Sequence, residues 1–368
     1  MDDYEKIYDF QNLLKAYKKA RQGKQGKREV IDFEMNLSQN LCTLSEELKH
    51  KTYRIRGYYC FYVYEPKKRT IHALRYRDRV VQHCLCDEVL EPLFEKRLIY
   101  DNAACRKGKG TLFAVNRLSS FLRKFYRSHG NRGYFLKCDV RKFFDSIAHE
   151  QLKTILRKTI RDRSVYALCE MIIDSYETSP GRGLPLGNQT SQWFALLYLD
   201  GLDRLCKEKL RLKYYTRYMD DIVIVHEDKA FLRKCMQQMY EYAERERGLT
   251  FNEKTQIFPL KNGVEYLGFR FALSDTGAVI RRVKTTSKLR YKRRLRRYQV
   301  QYREGRIEAS DVRQSLAGFH GHLKHGNTYW LRRRALGKFA LSRGDARKDR
   351  IMRADMGKKR TIEPCIMI

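Results

Sequence analysis

The sequence predicts an α+β fold, a mixed sheet with helices on one face. Segments of helical and of strand period follow one another without strict strand–helix–strand alternation. The run 214–225 reads as strand, tight turn, strand, and 42% of the 368 residues are apolar, enough for a real core.

Residues 1–50 carry helical spacing, as at Leu13, Leu14 and Tyr17, interrupted by the basic, glycine-containing stretch 21–28 that has nothing to bury. From 53 to 63 the pattern turns aromatic and β-branched, breaks at Pro66-Lys67-Lys68-Arg69 and resumes at Thr70, a hairpin with a cationic tip. Val81, Leu85, Val89 and Leu93 stand four apart, a helix stripe ending near Pro92. Helix continues over 111–126, and 134–140 is a buried strand. A helix follows over 193–205. Beyond Asn262-Gly263 one short strand, 264–269, precedes a basic helix over 284–306 with Tyr291, Tyr298 and Tyr302 interleaved. A basic run is usually just a solvated face; aromatic interleaving favours a helix lying along a nucleic-acid backbone.

Lys and Arg number 77 against 43 Asp and Glu, a formal charge of +34 that calls for a polyanionic partner. Nucleic acid fits. No apolar run approaches a membrane span, so no membrane partner is expected. The acidic N-terminus is unlike a signal peptide, and ten scattered cysteines without a CxxC pair read as reduced, mostly buried thiols of a cytoplasmic protein, Cys138 facing the core.

The chemistry-bearing feature is Tyr218-Met219-Asp220-Asp221. Paired acids on a turn are ordinarily solvated, but these cap two otherwise apolar strands, so the turn projects carboxylates from the end of a buried sheet. Phosphoryl transfer to a sugar hydroxyl uses two divalent ions roughly 4 Å apart, held by hard oxygen ligands. Asp139, at the end of the apolar strand Phe135-Leu136, supplies a third carboxylate; a helix N-cap is the bland alternative for it.

In order along the chain, from about 53 to 271, these residues resemble the reverse transcriptase family. Leu136-Lys137-Cys138-Asp139-Val140-Arg141-Lys142-Phe143-Phe144 looks like its first catalytic motif, and Gly183-Leu184-Pro185-Leu186-Gly187-Asn188-Gln189-Thr190-Ser191-Gln192 like its template and nucleotide-pocket motif. The resemblance implies a right-hand polymerase fold: a helical extension over 1–50, fingers over 51–134, a palm with pocket insertion over 135–271, a helical thumb over 272–342 and a flexible basic tail over 343–368. It implies Asp139, Asp220, Asp221 and the Val140 carbonyl as ligands of two Mg²⁺ ions, Mn²⁺ being the alternative. Lys254 would protonate pyrophosphate. Arg69, Arg75 and Lys67 would serve the incoming deoxynucleoside triphosphate, Phe144 would be the gate against a ribose 2′-hydroxyl, and Leu186 and Gly187 would shape the pocket. Ser191, Gln192, Gly268, Lys292, Arg293 and Arg296 would contact nucleic acid.

Leu186, where most of the family has glutamine, and Ser191-Gln192 depart from the common form. They resemble reverse transcriptases of diversity-generating retroelements, as do Glu65-Pro66-Lys67-Lys68-Arg69-Thr70-Ile71 and Ala103-Ala104-Cys105-Arg106-Lys107-Gly108. That subfamily implies a prokaryotic or phage-encoded enzyme copying a template RNA into cDNA with errors at adenines, helped by a small basic helical-bundle protein. A retron or antiviral-defence enzyme and an intron maturase are the other readings. His320, His322 and His325 lack partner cysteines or an HExxH motif, so zinc is not expected, and neither is a nuclease or RNase H domain.

Overall fold

The computed structural model describes residues 2–64, 68–337 and 339–343, so Lys67 and all but the first residue of the 343–368 tail lie outside it. The chain divides into two compact units, residues up to 117 with 134–258, and 118–133 with the described residues from 259 onward. The expected mixture of sheet and helix is present.

In the first unit the N-terminal segment forms helices Glu5–Tyr8, Phe10–Arg21, Arg28–Met35 and Leu37–Lys49. Asp9 starts the second by accepting from the Asn12 N–H at 2.9 Å. Its inward stripe, Leu13, Ala16, Tyr17 and Ala20, has helical spacing and joins the main core. The aromatic run pairs as a hairpin, β1 (Tyr58–Val63) with β2 (Arg69–Leu74), in register from Tyr58↔Leu74 to Val63↔Arg69. The helical run that opens as helix Tyr76–Leu85 stops at Glu95, near Pro92. A widened turn over Cys86–Leu90, in which the Glu91 N–H donates to the Cys86 carbonyl, lets the helix restart at Glu91–Glu95, where the missing proline N–H falls in a first turn that needs none.

The four-stranded sheet contains β3 (Tyr134–Asp139), β4 (Tyr214–Tyr218), β5 (Asp221–His226) and β6 (Gln256–Pro259) in the order β4-β5-β3-β6. Strand side chains alternate between faces. Leu136 and Cys138 of β3 meet Ile222 and Ile224 of β5 on the face covered by helices, where Ile222 and Ile224 are fully buried. Lys137 and Asp139 fall on the other face with Asp221 and Val223. The helix expected over 193–205 instead begins at Gln189, breaks at Leu199 and continues as Asp200–Arg204 and a wide turn, Leu205–Lys209.

In the second unit the segment 264–269, a short strand by its residue pattern and a hairpin by the family resemblance of Tyr266-Leu267-Gly268-Phe269, forms a hairpin of β7 (Val264–Tyr266) and β8 (Phe269–Leu273), turning through Leu267 and Gly268 at φ 47° and 86°. A strand absent from the sequence reading, β9 (Val279–Val283), completes a three-stranded sheet. Helices Thr285–Arg303, Ala309–Leu323 and Tyr329–Leu336 follow. The first buries only Tyr291 and Leu295; Tyr291 stacks on Phe319 with centroids 4.5 Å apart. His320 bonds the Tyr291 hydroxyl at 2.6 Å and His322 packs on Phe269. Among the described residues no helix is long and apolar enough to cross a membrane.

Candidate active site

Asp139 and Asp221 are directly paired residues of β3 and β5, and Tyr218 pairs with Asp221 across the hairpin. Paired residues share a face, so the two carboxylates rise side by side at the sheet end, with Asp220 in the turn between β4 and β5. Burial, and then the negative charge of Asp139, push the Asp220 carboxyl up to about 6, against its backbone hydrogen bond and the positive charges of Lys137 and Arg69. Asp221 is ion-paired with Lys137. As the side chains stand, no three His, Cys, Asp or Glu residues among those described form a group that would hold a metal. The donor set nonetheless suits a hard divalent cation, because two carboxylates that repel each other gain most from one.

The loop 250–255 ties itself to this strand end. The Asn252 N–H donates to the Asp139 carbonyl at 2.7 Å, and the Arg141 N–H to the Thr250 carbonyl at 2.9 Å. These bonds flank the Val140–Phe251 bridge and leave the Val140 carbonyl outside the ladder. The Asn252 amide reaches an Asp139 carboxylate oxygen at 3.4 Å, and the exposed Lys254 follows, its N–H bonded to the Asn252 side chain.

The turn has a support that the sequence reading missed. Arg217 is fully buried, donates twice to Asp203 at 2.7 and 2.6 Å, and donates to the carbonyls of Met219 at 2.9 Å and Leu196 at 3.1 Å. Burial opposes its charge, but the Asp203 carboxylate and its hydrogen bonds raise the guanidinium's pKa overall. Met219 sits at φ 55°, a left-handed conformation costly for a non-glycine residue, and its carbonyl is the one Arg217 holds. An arginine inside a strand of otherwise aromatic and β-branched residues was the available signal.

A cavity of about 670 Å³ lies in the same unit, lined among others by Lys68, Arg69, Thr70, His72, Lys142, Leu184 and Leu186. Arg69 and Leu186 therefore share it. Arg75 does not line it: its guanidinium is bound to Glu29 at 2.9 Å and lies over the Tyr59 ring. Phe144 is part-buried, 5.6 Å from the Phe143 ring, and its carbonyl accepts from the Leu184 N–H at 2.9 Å, which fixes the pocket motif beside it. Gly187, at φ 111°, lines a separate cavity of about 340 Å³ with Gln189 and Gln192. Ser191 is buried, and Gln192 lines this second cavity. In the second unit Lys292, Arg293 and Arg296 are exposed, and Gly268 lies so close to His322 that an added Cβ would stand 3.0 Å from its Nε2. Lys67 falls outside the described residues. Six of the nine described cysteines are buried, Cys138 among them, and all nine are free thiols.

Residues 64–271, more than half of the chain, match the family model described as reverse transcriptase (RNA-dependent DNA polymerase). A curated relative, the COX1/OXI3 intron 2 protein of Saccharomyces cerevisiae, is 22% identical over 260 residues, 52% of this chain and 29% of that protein. Among solved structures, telomerase from Candida albicans in complex with a telomeric RNA fragment is 13% identical at TM-score 0.48, covering 63% of this chain and 46% of its own. Apo telomerase from Candida tropicalis is 13% identical at TM-score 0.46, covering 62% and 49%. The chain thus spans under half the length of each.

Proposed function

We propose, from the premise that this chain belongs to the reverse transcriptase family, that it is an RNA-directed DNA polymerase whose reacting groups gather at Asp139, Asp220 and Asp221. The observation that carries the reading is the register of the palm sheet, with Asp139 opposite Asp221 and Asp220 in the adjoining turn. Asp139, Asp220, Asp221 and the Val140 carbonyl would hold two divalent cations, Mg²⁺ or Mn²⁺. When bound, these activate the primer hydroxyl and neutralise the leaving pyrophosphate. Arg69, in the cavity wall, binds the triphosphate through its forked donors, and Lys254 delivers a proton toward pyrophosphate. Phe144 blocks a ribose 2′-hydroxyl, Leu186 offers the base pair an apolar wall, and Lys292, Arg293 and Arg296 grip the template–cDNA duplex by its phosphates.

The finer reading is error-prone copying in a diversity-generating retroelement, with a small basic accessory protein. Leu186 supports it: an apolar residue facing the cavity forms no hydrogen bond to a base and so relaxes discrimination. A maturase assisting intron splicing is the second reading, favoured by the likeness to a yeast intron protein. One experiment tests the polymerase assignment itself. Primer extension by Asp220→Ala is expected to fall to background while RNA binding persists; extension that survives the substitution sinks the polymerase assignment.

A further inference from the structure

Two residues before Asp139 on β3 stands Lys137. Strand alternation puts both on one face, and the register sets Val223 opposite Lys137 and Asp221 opposite Asp139. Asp221 is therefore the diagonal cross-strand neighbour of Lys137, within reach of a long side chain. The ammonium is ion-paired with the Asp221 carboxylate, and the two side chains are only 19% and 27% exposed. The rest of β3 is aromatic or apolar up to Cys138, so a lysine on this face needs a partner to offset its desolvation. Its partner is one of three carboxylates at the sheet end. A lysine here thus serves the acids rather than the strand.

We propose that Lys137 is a built-in counter-ion of the carboxylate site, holding Asp221 in the cation-free protein and giving it up when a divalent cation binds. The inference rests on the reading above that Asp139, Asp220 and Asp221 take such cations. One ammonium offsets one of three closely placed negative charges, so the fold tolerates the cluster before any cation arrives. A monovalent cation brings no more charge than the ammonium it would displace; a divalent one does. Lys137 is a positioning residue in this scheme. It sets cation affinity by competition and keeps the Asp221 side chain aligned toward Asp139.

The test uses the full chain without nucleic acid or nucleotide and titrates Mn²⁺ by paramagnetic resonance or calorimetry. Lys137→Met is expected to bind Mn²⁺ about tenfold more tightly than the wild type, since removing a competing ion pair of moderate strength shifts affinity by that order. Lys137→Gln, which keeps a hydrogen-bond donor for Asp221 and drops the charge, is expected to do the same should the methionine variant fold poorly. Lys137→Arg keeps the charge and is expected to restore wild-type affinity. Equal or weaker Mn²⁺ binding by the uncharged variants, with Asp139→Asn still abolishing binding, overturns the role of Lys137 and leaves the function intact. Undiminished Mn²⁺ binding by Asp139→Asn and Asp220→Asn overturns the cation reading itself, and the inference with it.

Discussion

Replacing Asp220 by asparagine removes one charge from the sheet end while keeping the shape of the side chain, and the structure sets the effect on stability. The folded protein raises the Asp220 carboxyl from 3.8 to about 6, through burial and then the Asp139 charge. The folded state therefore holds this proton more tightly than the unfolded chain does. Stability contributed by the protonated acid is full below about pH 4 and is lost as pH rises through 6, so above that the ionised carboxylate destabilises the cation-free fold by up to about 3 kcal/mol. Partial solvent access lowers this toward about 1–2 kcal/mol. Asparagine does not titrate. Asp220→Asn is expected to melt higher than the wild type in chelator at pH 7.5, by roughly 2–4 °C per kcal/mol for a unit of this size. The gap should narrow toward pH 5, and saturating Mn²⁺ should close it by stabilising only the wild type. Primer extension by the variant should be lost. A variant that melts no higher at pH 7.5, or by the same margin at both pH values, would refute the account of charge crowding.

Arg217→Met leaves Asp203 buried without a counter-ion, held only by the Tyr215 hydroxyl at 2.5 Å, and is expected to destabilise the first unit by about 3–5 kcal/mol in urea denaturation. The double variant with Asp203→Asn should regain part of that loss, and additivity of the two would refute the pairing. Leu186→Gln is expected to lower misincorporation opposite template adenine, read by sequencing the cDNA; an unchanged error spectrum counts against the apolar wall. Neutralising Lys292, Arg293 and Arg296 together is expected to flatten the dependence of RNA affinity on salt, by roughly 0.7–0.9 in the log–log slope per lost phosphate contact. An unaltered slope would place the nucleic-acid path elsewhere.

The hairpin carrying Asp220 was legible because its signal is local: two apolar strands separated by a tight polar turn. Asp139 was legible as the end of an apolar strand, and the pairing with β5 puts it opposite Asp221. What escaped depends on register or on distant partners. Lys137 acquires its meaning only once β3 is aligned with β5, since a slip of one residue would turn it to the other face. Asp203 and Arg217 lie 14 residues apart with no common periodicity, and nothing in either segment announces the other. Pro92 marked the end of the helical run, which stops at Glu95, but not the widened turn over Cys86–Leu90 just before it. β9 was missed because Val279-Ile280-Arg281-Arg282-Val283 carries two adjacent arginines at its centre, and its pairing with β8 rather than its own composition makes it a strand. Ser191 was expected to contact nucleic acid from its motif alone, and its burial is set by the packing of its helix, which the motif does not show.

The clasp of Arg217 on Asp203 and on the Met219 carbonyl bears on how such a site can change over generations. A lineage that loses either partner first must pass through a protein carrying an isolated charge in its interior, at a penalty comparable to a large share of a typical domain's whole stability. Positions 203 and 217 are thereby tied to a joint fate, although neither belongs to the carboxylate cluster. The exposed arginines of helix Thr285–Arg303 carry no such constraint, so one can be lost on one face of the helix and regained on another while the positive charge of the helix persists. Drift in this protein should accordingly be freest along that basic helix and slowest beneath the turn that presents its acids.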